Sequence, residues 1–105
     1  MLIYPVSNYG INIRYEKSAE KFFAKHEDIR AQYIDSLSEW LDNPERVDVK
    51  TIRGKRGKYY RMRIGGWRVI FSVVNGNVIV INTILAGSRG DIYKKNRRNK
   101  IVSPP

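Results

Sequence analysis

Tyr59-Tyr60-Arg61-Met62-Arg63-Ile64-Gly65-Gly66-Trp67-Arg68-Val69-Ile70-Phe71-Ser72-Val73 is two runs of alternating character joined by a glycine pair. Adjacent glycines supply the positive φ values that a two-residue hairpin turn requires, and the flanking runs are rich in aromatic and β-branched residues. With Gly65 and Gly66 as the turn, Ile64 faces Trp67, Arg63 faces Arg68, Met62 faces Val69 and Tyr60 faces Phe71. Side chains alternate across a strand. One side of this hairpin therefore carries Tyr60, Met62, Ile64, Trp67, Val69 and Phe71, a core face. The other carries Arg61, Arg63 and Arg68. Like charges directly across a ladder are destabilising, so Arg63 against Arg68 calls for an anion between them.

Outward from the hairpin, Asn75-Gly76 is a second turn signal. The run that follows, with Val78, Ile79, Val80, Ile81, Ile84 and Leu85, is apolar on both faces, as a central strand requires. Two two-residue turns would put Ile70, Ile79 and Ile81 on the arginine side. Before the hairpin, Arg53-Gly54-Lys55-Arg56-Gly57-Lys58 is a basic loop whose glycines allow close approach to a phosphate, and Val47 to Ile52 reads as extended. Ile29, Tyr33, Ile34, Leu37, Trp40 and Leu41 keep a helical period until Asn43-Pro44 stops it. A shorter helix over about 18 to 26, with Ser18 as its cap, precedes that one. Ile11, Ile13 and Tyr15 alternate as a half-buried strand. Residues 1–8, broken by Pro5, are expected to be an irregular arm or edge segment, and a helical turn is expected to begin at Asp91. The 105 residues are expected to form one α+β domain, an antiparallel sheet of about four strands packed on an N-terminal helical hairpin. The tail, 101–105, is expected to lack order.

Net charge is +10, and its distribution is uneven. Residues 1–49 hold six Lys or Arg against nine Asp or Glu, a balance of −3. Residues 50–105 hold fourteen basic residues against Asp91 alone, a balance of +13. A one-sided positive field fits a polyanion, either nucleic acid or an acidic protein. A solvated basic surface is the plainer alternative. The chain has no cysteine, so thiolate zinc and disulfides are excluded. No stretch reads as a signal peptide or membrane span, and a cytoplasmic protein is expected. His26 is the one histidine, the carboxylates show no metal-type spacing with it, and no metal or other cofactor is expected.

The order of parts resembles the RelE/ParE toxins of type II toxin-antitoxin systems. The resemblance rests on Ile52-Arg53-Gly54, Tyr59 to Ile64, Trp67-Arg68-Val69-Ile70-Phe71 and Arg89-Gly90-Asp91-Ile92-Tyr93, and spans about residues 9 to 95. It implies an antitoxin partner, expected to be an acidic protein that lies over the basic face. In the RelE branch, which looks like a set of ribosome-dependent mRNA endonucleases, it implies catalytic roles for Arg61, Arg63, Arg68, Arg89 and Tyr93. RNA contacts would then fall to Arg53, Lys55, Arg56, Lys58, Lys94 and Lys95. Relatives of the best-known type carry lysines at the positions of Arg61 and Arg63, and a basic residue at that of Gly87.

Such chemistry needs no metal. RNA supplies its own 2′-OH nucleophile, and guanidinium groups can neutralise the pentacoordinate phosphate. Arginine is a poor proton shuttle, so proton transfer would pass to Tyr93, Lys58 or the ribosome. The favoured expectation is an mRNA interferase acting on the ribosome. The alternatives are a non-nuclease inhibitor like the ParE branch, which resembles poisons of DNA gyrase, and a simple RNA-binding module. For Arg61 and Arg63 the plain alternative is a solvated strand face, and for Tyr93 a helix-docking aromatic.

Overall fold

The computed structural model describes residues 2–6, 11–54, 57–75 and 79–92. Its elements are β1 (Leu2–Val6), β2 (Ile11–Tyr15), α1 (Lys17–Ala24), α2 (Glu27–Asp42), a 3-10 turn (Pro44–Arg46), β3 (Val49–Gly54), β4 (Gly57–Ile64), β5 (Trp67–Asn75) and β6 (Ile79–Ser88). A last helical turn covers 89–92. The strands form one sheet in the order β1-β2-β6-β5-β4-β3. All pairs are antiparallel except β2 with β6, which is parallel.

The α+β class and the helical pair agree with the sequence reading, whereas the sheet is larger than expected and mixed. Both added strands are edges. The N-terminal arm is in part β1, where Pro5 lies opposite Asn12, and an outermost strand tolerates proline because one side of its ladder has no partner. The extended segment before the basic loop is β3. Parallel pairing of β2 with β6 needs a long crossover, which the helices and the β3–β5 meander supply.

The register of the hairpin is the expected one, Ile64 with Trp67, Arg63 with Arg68, Met62 with Val69 and Tyr60 with Phe71. Gly65 has φ +56°, the left-handed conformation that the turn demands. The β5–β6 connection differs. Asn75 pairs with Ile79 and Val73 with Ile81, whereas a two-residue turn at Asn75-Gly76 would have set Ser72 against Ile79. An odd shift of register moves a whole strand to the other face. Ile81 is accordingly 0% exposed in the helix-side core, with Ile79 packed against the same cluster. Only Ile70 of that trio lies on the arginine side.

The main core joins Ala19, Phe22, Phe23, Ile29, Tyr33 and Leu37 of the helices to Ile13, Met62, Val69 and Phe71 of the sheet. Its centre is aromatic. Phe23 stacks on Tyr33 at 5.4 Å, and Tyr33 meets Phe71 edge-on at 6.2 Å. Each such fully buried ring contributes roughly 1.5–3 kcal/mol by area. Tyr33 also exchanges a 2.7 Å hydrogen bond with the hydroxyl of Thr83 on β6. Burial pushes the Tyr33 phenol well above its ordinary value of 10.0, an effect that the Thr83 bond opposes. On the other side of the sheet a smaller cluster holds Ile70, Ile84, Leu85 and Ile92. A bulge between Ile70 and Phe71 lets consecutive Ile84 and Leu85 both pack there, because the extra residue breaks strict alternation. Ser88 Oγ accepts the Asp91 amide at 3.2 Å, so Ser88 rather than Asp91 begins the last helical turn, which lays Ile92 on the cluster.

Met62→Asp and Phe71→Asp should each abolish cooperative unfolding, since both native side chains are 0% exposed and an unpaired buried carboxylate costs several kcal/mol. Circular dichroism melts check this. Tyr33→Phe should cost about 1–3 kcal/mol by orphaning the Thr83 hydroxyl, with Thr83→Val in the same chain restoring part of it. A phenol whose folded pKa is raised gives stability that is complete below pH 10.0 and lost as pH climbs beyond it. The stability difference between wild type and Tyr33→Phe should therefore shrink in alkali.

Candidate functional site: the arginine face of the sheet

Alternation on β4 and β5 puts Arg61, Arg63 and Arg68 on the side of the sheet away from the helices. Arg63 lies directly opposite Arg68, and Lys50 of β3 lies opposite Arg61. Arg68 faces Gly87 on β6, where no side chain crowds it.

The anion that this cluster calls for is partly built in. Asp48, just before β3, continues the ladder one step beyond the Val49–Met62 pair, and its carbonyl accepts the Arg63 amide at 3.0 Å. Its carboxylate therefore emerges on the arginine face. Oδ1 stands 3.3 Å from Arg61 Nη2 and Oδ2 3.8 Å from Arg63 Nη1. Both contacts are longer than the 2.7–2.9 Å of a good charge-assisted bond. Asp48 is 45% exposed and Arg63 54%, so each pair is worth only about 0.2–1 kcal/mol.

Arg68 is different. It is 8% exposed, and its Nη1 donates to the carbonyls of Gly65 at 3.4 Å and Trp67 at 3.3 Å. Burial lowers its pKa, the charges of Arg63, Arg61 and Arg89 lower it further, and Asp48 acts against them. A guanidinium starts high enough to stay charged near neutrality all the same. Arg89, at the start of the last helical turn, thus belongs to the same electrostatic cluster. Arg68, the three guanidiniums that act on it and Asp48 sum to +3, to which Lys50 opposite Arg61 adds. Arg61 Nε adds a buried N–H with no hydrogen-bond partner.

The other expected contacts do not gather here. Arg53 and Lys58 form a cross-strand pair on the opposite side, where Lys58 Nζ sits 5.3 Å over the Tyr60 ring. Alternation along β4 puts Lys58 with Tyr60 and Met62. Tyr93, Lys55, Arg56, Lys94 and Lys95 lie outside the described residues. Sequence reasoning missed Asp48 and Lys50. Their alternation with Val47 and Val49 was visible, but the β3–β4 register that sets them beside Arg63 and Arg61 was not. His26 stacks on Phe22 at 4.4 Å and lies 4.9 Å from Trp67, in the helix-side aromatic cluster. Among the described residues, no group of three or more His, Cys, Asp or Glu side chains could hold a metal. No helix of the described residues is long and apolar enough to cross a membrane.

A mixed sheet backed by a helical pair, with a guanidinium cluster on its open face, defines a small basic α+β protein. The family model for the ParE toxin of type II toxin-antitoxin systems, parDE, matches residues 13–90, and the chain belongs to that family. Membership implies a protein antitoxin as partner. Neither a curated protein nor a solved structure matches the chain.

Arg61→Ala and Arg63→Ala should each shift unfolding by about 1 kcal/mol or less, because the pair each loses is with the solvent-facing Asp48 carboxylate. Arg68→Ala is expected to cost more than either, since its buried stem and turn hydrogen bonds are lost together. Urea unfolding of the three variants side by side checks the ranking.

Proposed function

We propose that the chain is a growth-arresting toxin that acts by binding DNA gyrase, with the arginine face as its contact surface. The observation that carries this is a cluster made of guanidiniums, with the histidine on the other side of the sheet. Arg61 and Arg63 lean on Asp48, Arg68 is held by turn carbonyls, and the only histidine packs on the far side of the sheet. Guanidiniums make a good recognition surface for carboxylates and phosphates. They make poor proton donors and acceptors. Family membership supports the same direction, as the ParE branch resembles gyrase poisons.

Cleavage of mRNA on the ribosome is the second reading, and the +3 excess of the cluster favours it. That charge would stabilise a pentacoordinate phosphate. Arg61, Arg63, Arg68 and Arg89 would then clamp the scissile group, with Tyr93 left to stack on a base or carry a proton.

Two assays separate the readings. Purified gyrase incubated with the toxin should lose supercoiling activity, and induced cells should accumulate broken DNA while their messages stay intact in primer extension. Cuts within translated codons, with gyrase unaffected, would overturn the gyrase reading and establish the nuclease. The antitoxin is proposed to be acidic, covering the arginine face. Co-purified with the toxin, it should weaken in binding only in part as salt rises, because screening removes the charge contribution and leaves apolar contacts. A partner that is neutral or basic overall would contradict that.

A further inference from the structure

The arginine face holds its own counter-ion in an unusual way. Asp48 is the acidic group whose charge opposes the mutual repulsion of Arg61, Arg63, Arg68 and Arg89. Its carboxylate reaches two of those guanidiniums, at 3.3 and 3.8 Å, without the short paired geometry of a locked ion pair. Its main chain, by contrast, is pinned by the Arg63 amide at 3.0 Å. The backbone is fixed and the side chain is loosely engaged.

We infer that Asp48 occupies the place of an external phosphate group, and that turning its carboxylate away opens an anion site formed by Arg61 and Arg63. Phosphate fits better than the carboxylate it replaces. A carboxylate has two oxygens and one charge, already divided between two arginines. A phosphate monoester brings a further oxygen and more charge, and a run of phosphodiesters brings neighbouring phosphates, with which either can also address Arg68, opposite Arg63. The +3 excess beside the site provides long-range attraction, and Gly87 opposite Arg68 keeps that end of the row clear. Asp48 then sets the affinity. It keeps the cluster from repelling itself in the free protein and competes with any weakly held anion, so that only a ligand with several phosphate oxygens in reach displaces it. The inference stands whichever target the toxin has, because it concerns the occupant of the face and no reaction on it.

The test titrates three purified proteins, wild type, Asp48→Asn and Asp48→Asn/Arg61→Ala/Arg63→Ala, at constant ionic strength. Arginine Nε–H signals are followed by NMR with inorganic phosphate as the probe, and anisotropy is followed with a short labelled oligothymidylate, which has no 2′-OH to be cleaved. Removing one or two exposed ion pairs should tighten binding by Asp48→Asn by about two- to thirtyfold, and the triple variant should bind more weakly than wild type. The salt slope of oligonucleotide binding should steepen in Asp48→Asn, a change that a purely structural role would not produce. Tightening toward both probes assigns the site to a single phosphate group, and tightening toward the oligonucleotide alone assigns it to a phosphodiester backbone. Unchanged or weaker binding by Asp48→Asn overturns the inference, as does a triple variant that binds as tightly as Asp48→Asn. Polyglutamate is titrated in parallel, and tightening toward it with none toward either phosphate probe overturns the inference in favour of an acidic protein ligand. Should Asp48→Asn melt near the working temperature, Asp48→Ser carries the same comparison.

Discussion

Strand alternation around the Gly65-Gly66 turn is the constraint on which everything else depends. Once Gly65 takes φ +56° and Ile64 meets Trp67, every residue of β4 and β5 up to the bulge is assigned to one side of the sheet. The helix side receives Met62, Ile64, Val69 and Phe71, which bury against Phe23, Tyr33 and Leu37. The open side receives the arginines. Hydrophobic burial thus places the charge, for burying these guanidiniums unpaired would cost several kcal/mol.

The charge so placed has to be tolerated, and the structure does this locally. Asp48 stands at the β3 end of the row that runs through Arg63 and Arg68. Turn carbonyls take Arg68. The small cluster of Ile70, Ile84, Leu85 and Ile92 borders the arginines but is itself buried, so the described part of this face meets solvent mainly through its charged groups. Such a face suits a partner segment rich in acidic residues, as proposed for the antitoxin. A docked segment of that kind would also cover the proposed phosphate site.

The central hairpin and the second helix were legible because each rests on short-range rules, a glycine pair between alternating runs and a helical period ended by Asn43-Pro44. The central place of β6 was legible from its two apolar faces. What escaped were features set by pairing between distant segments. β1 hides behind Pro5, whose acceptability depends on being outermost. Parallel pairing of β2 with β6 has no local signature. The side on which Ile79 and Ile81 lie depended on a loop length that Asn75-Gly76 signalled incorrectly, and one odd shift reversed the strand. The arginine cluster was legible as residues and direction. Its counter-ion was not, because Asp48 becomes its neighbour only through the β3–β4 register, and Arg53 and Lys58 fell on the wrong side for the same reason.

If the toxic surface is the arginine face, function and fold are separable there as they are nowhere in the core. The direct measurement is growth after induction of Arg61→Ala/Arg63→Ala/Arg89→Ala, with the amount and melting of the purified variant determined in parallel. Cells should keep growing while the variant is folded and present at wild-type level. Growth arrest as deep as that of the wild type, by a folded triple variant, would contradict the assignment and move the toxic surface elsewhere on the molecule.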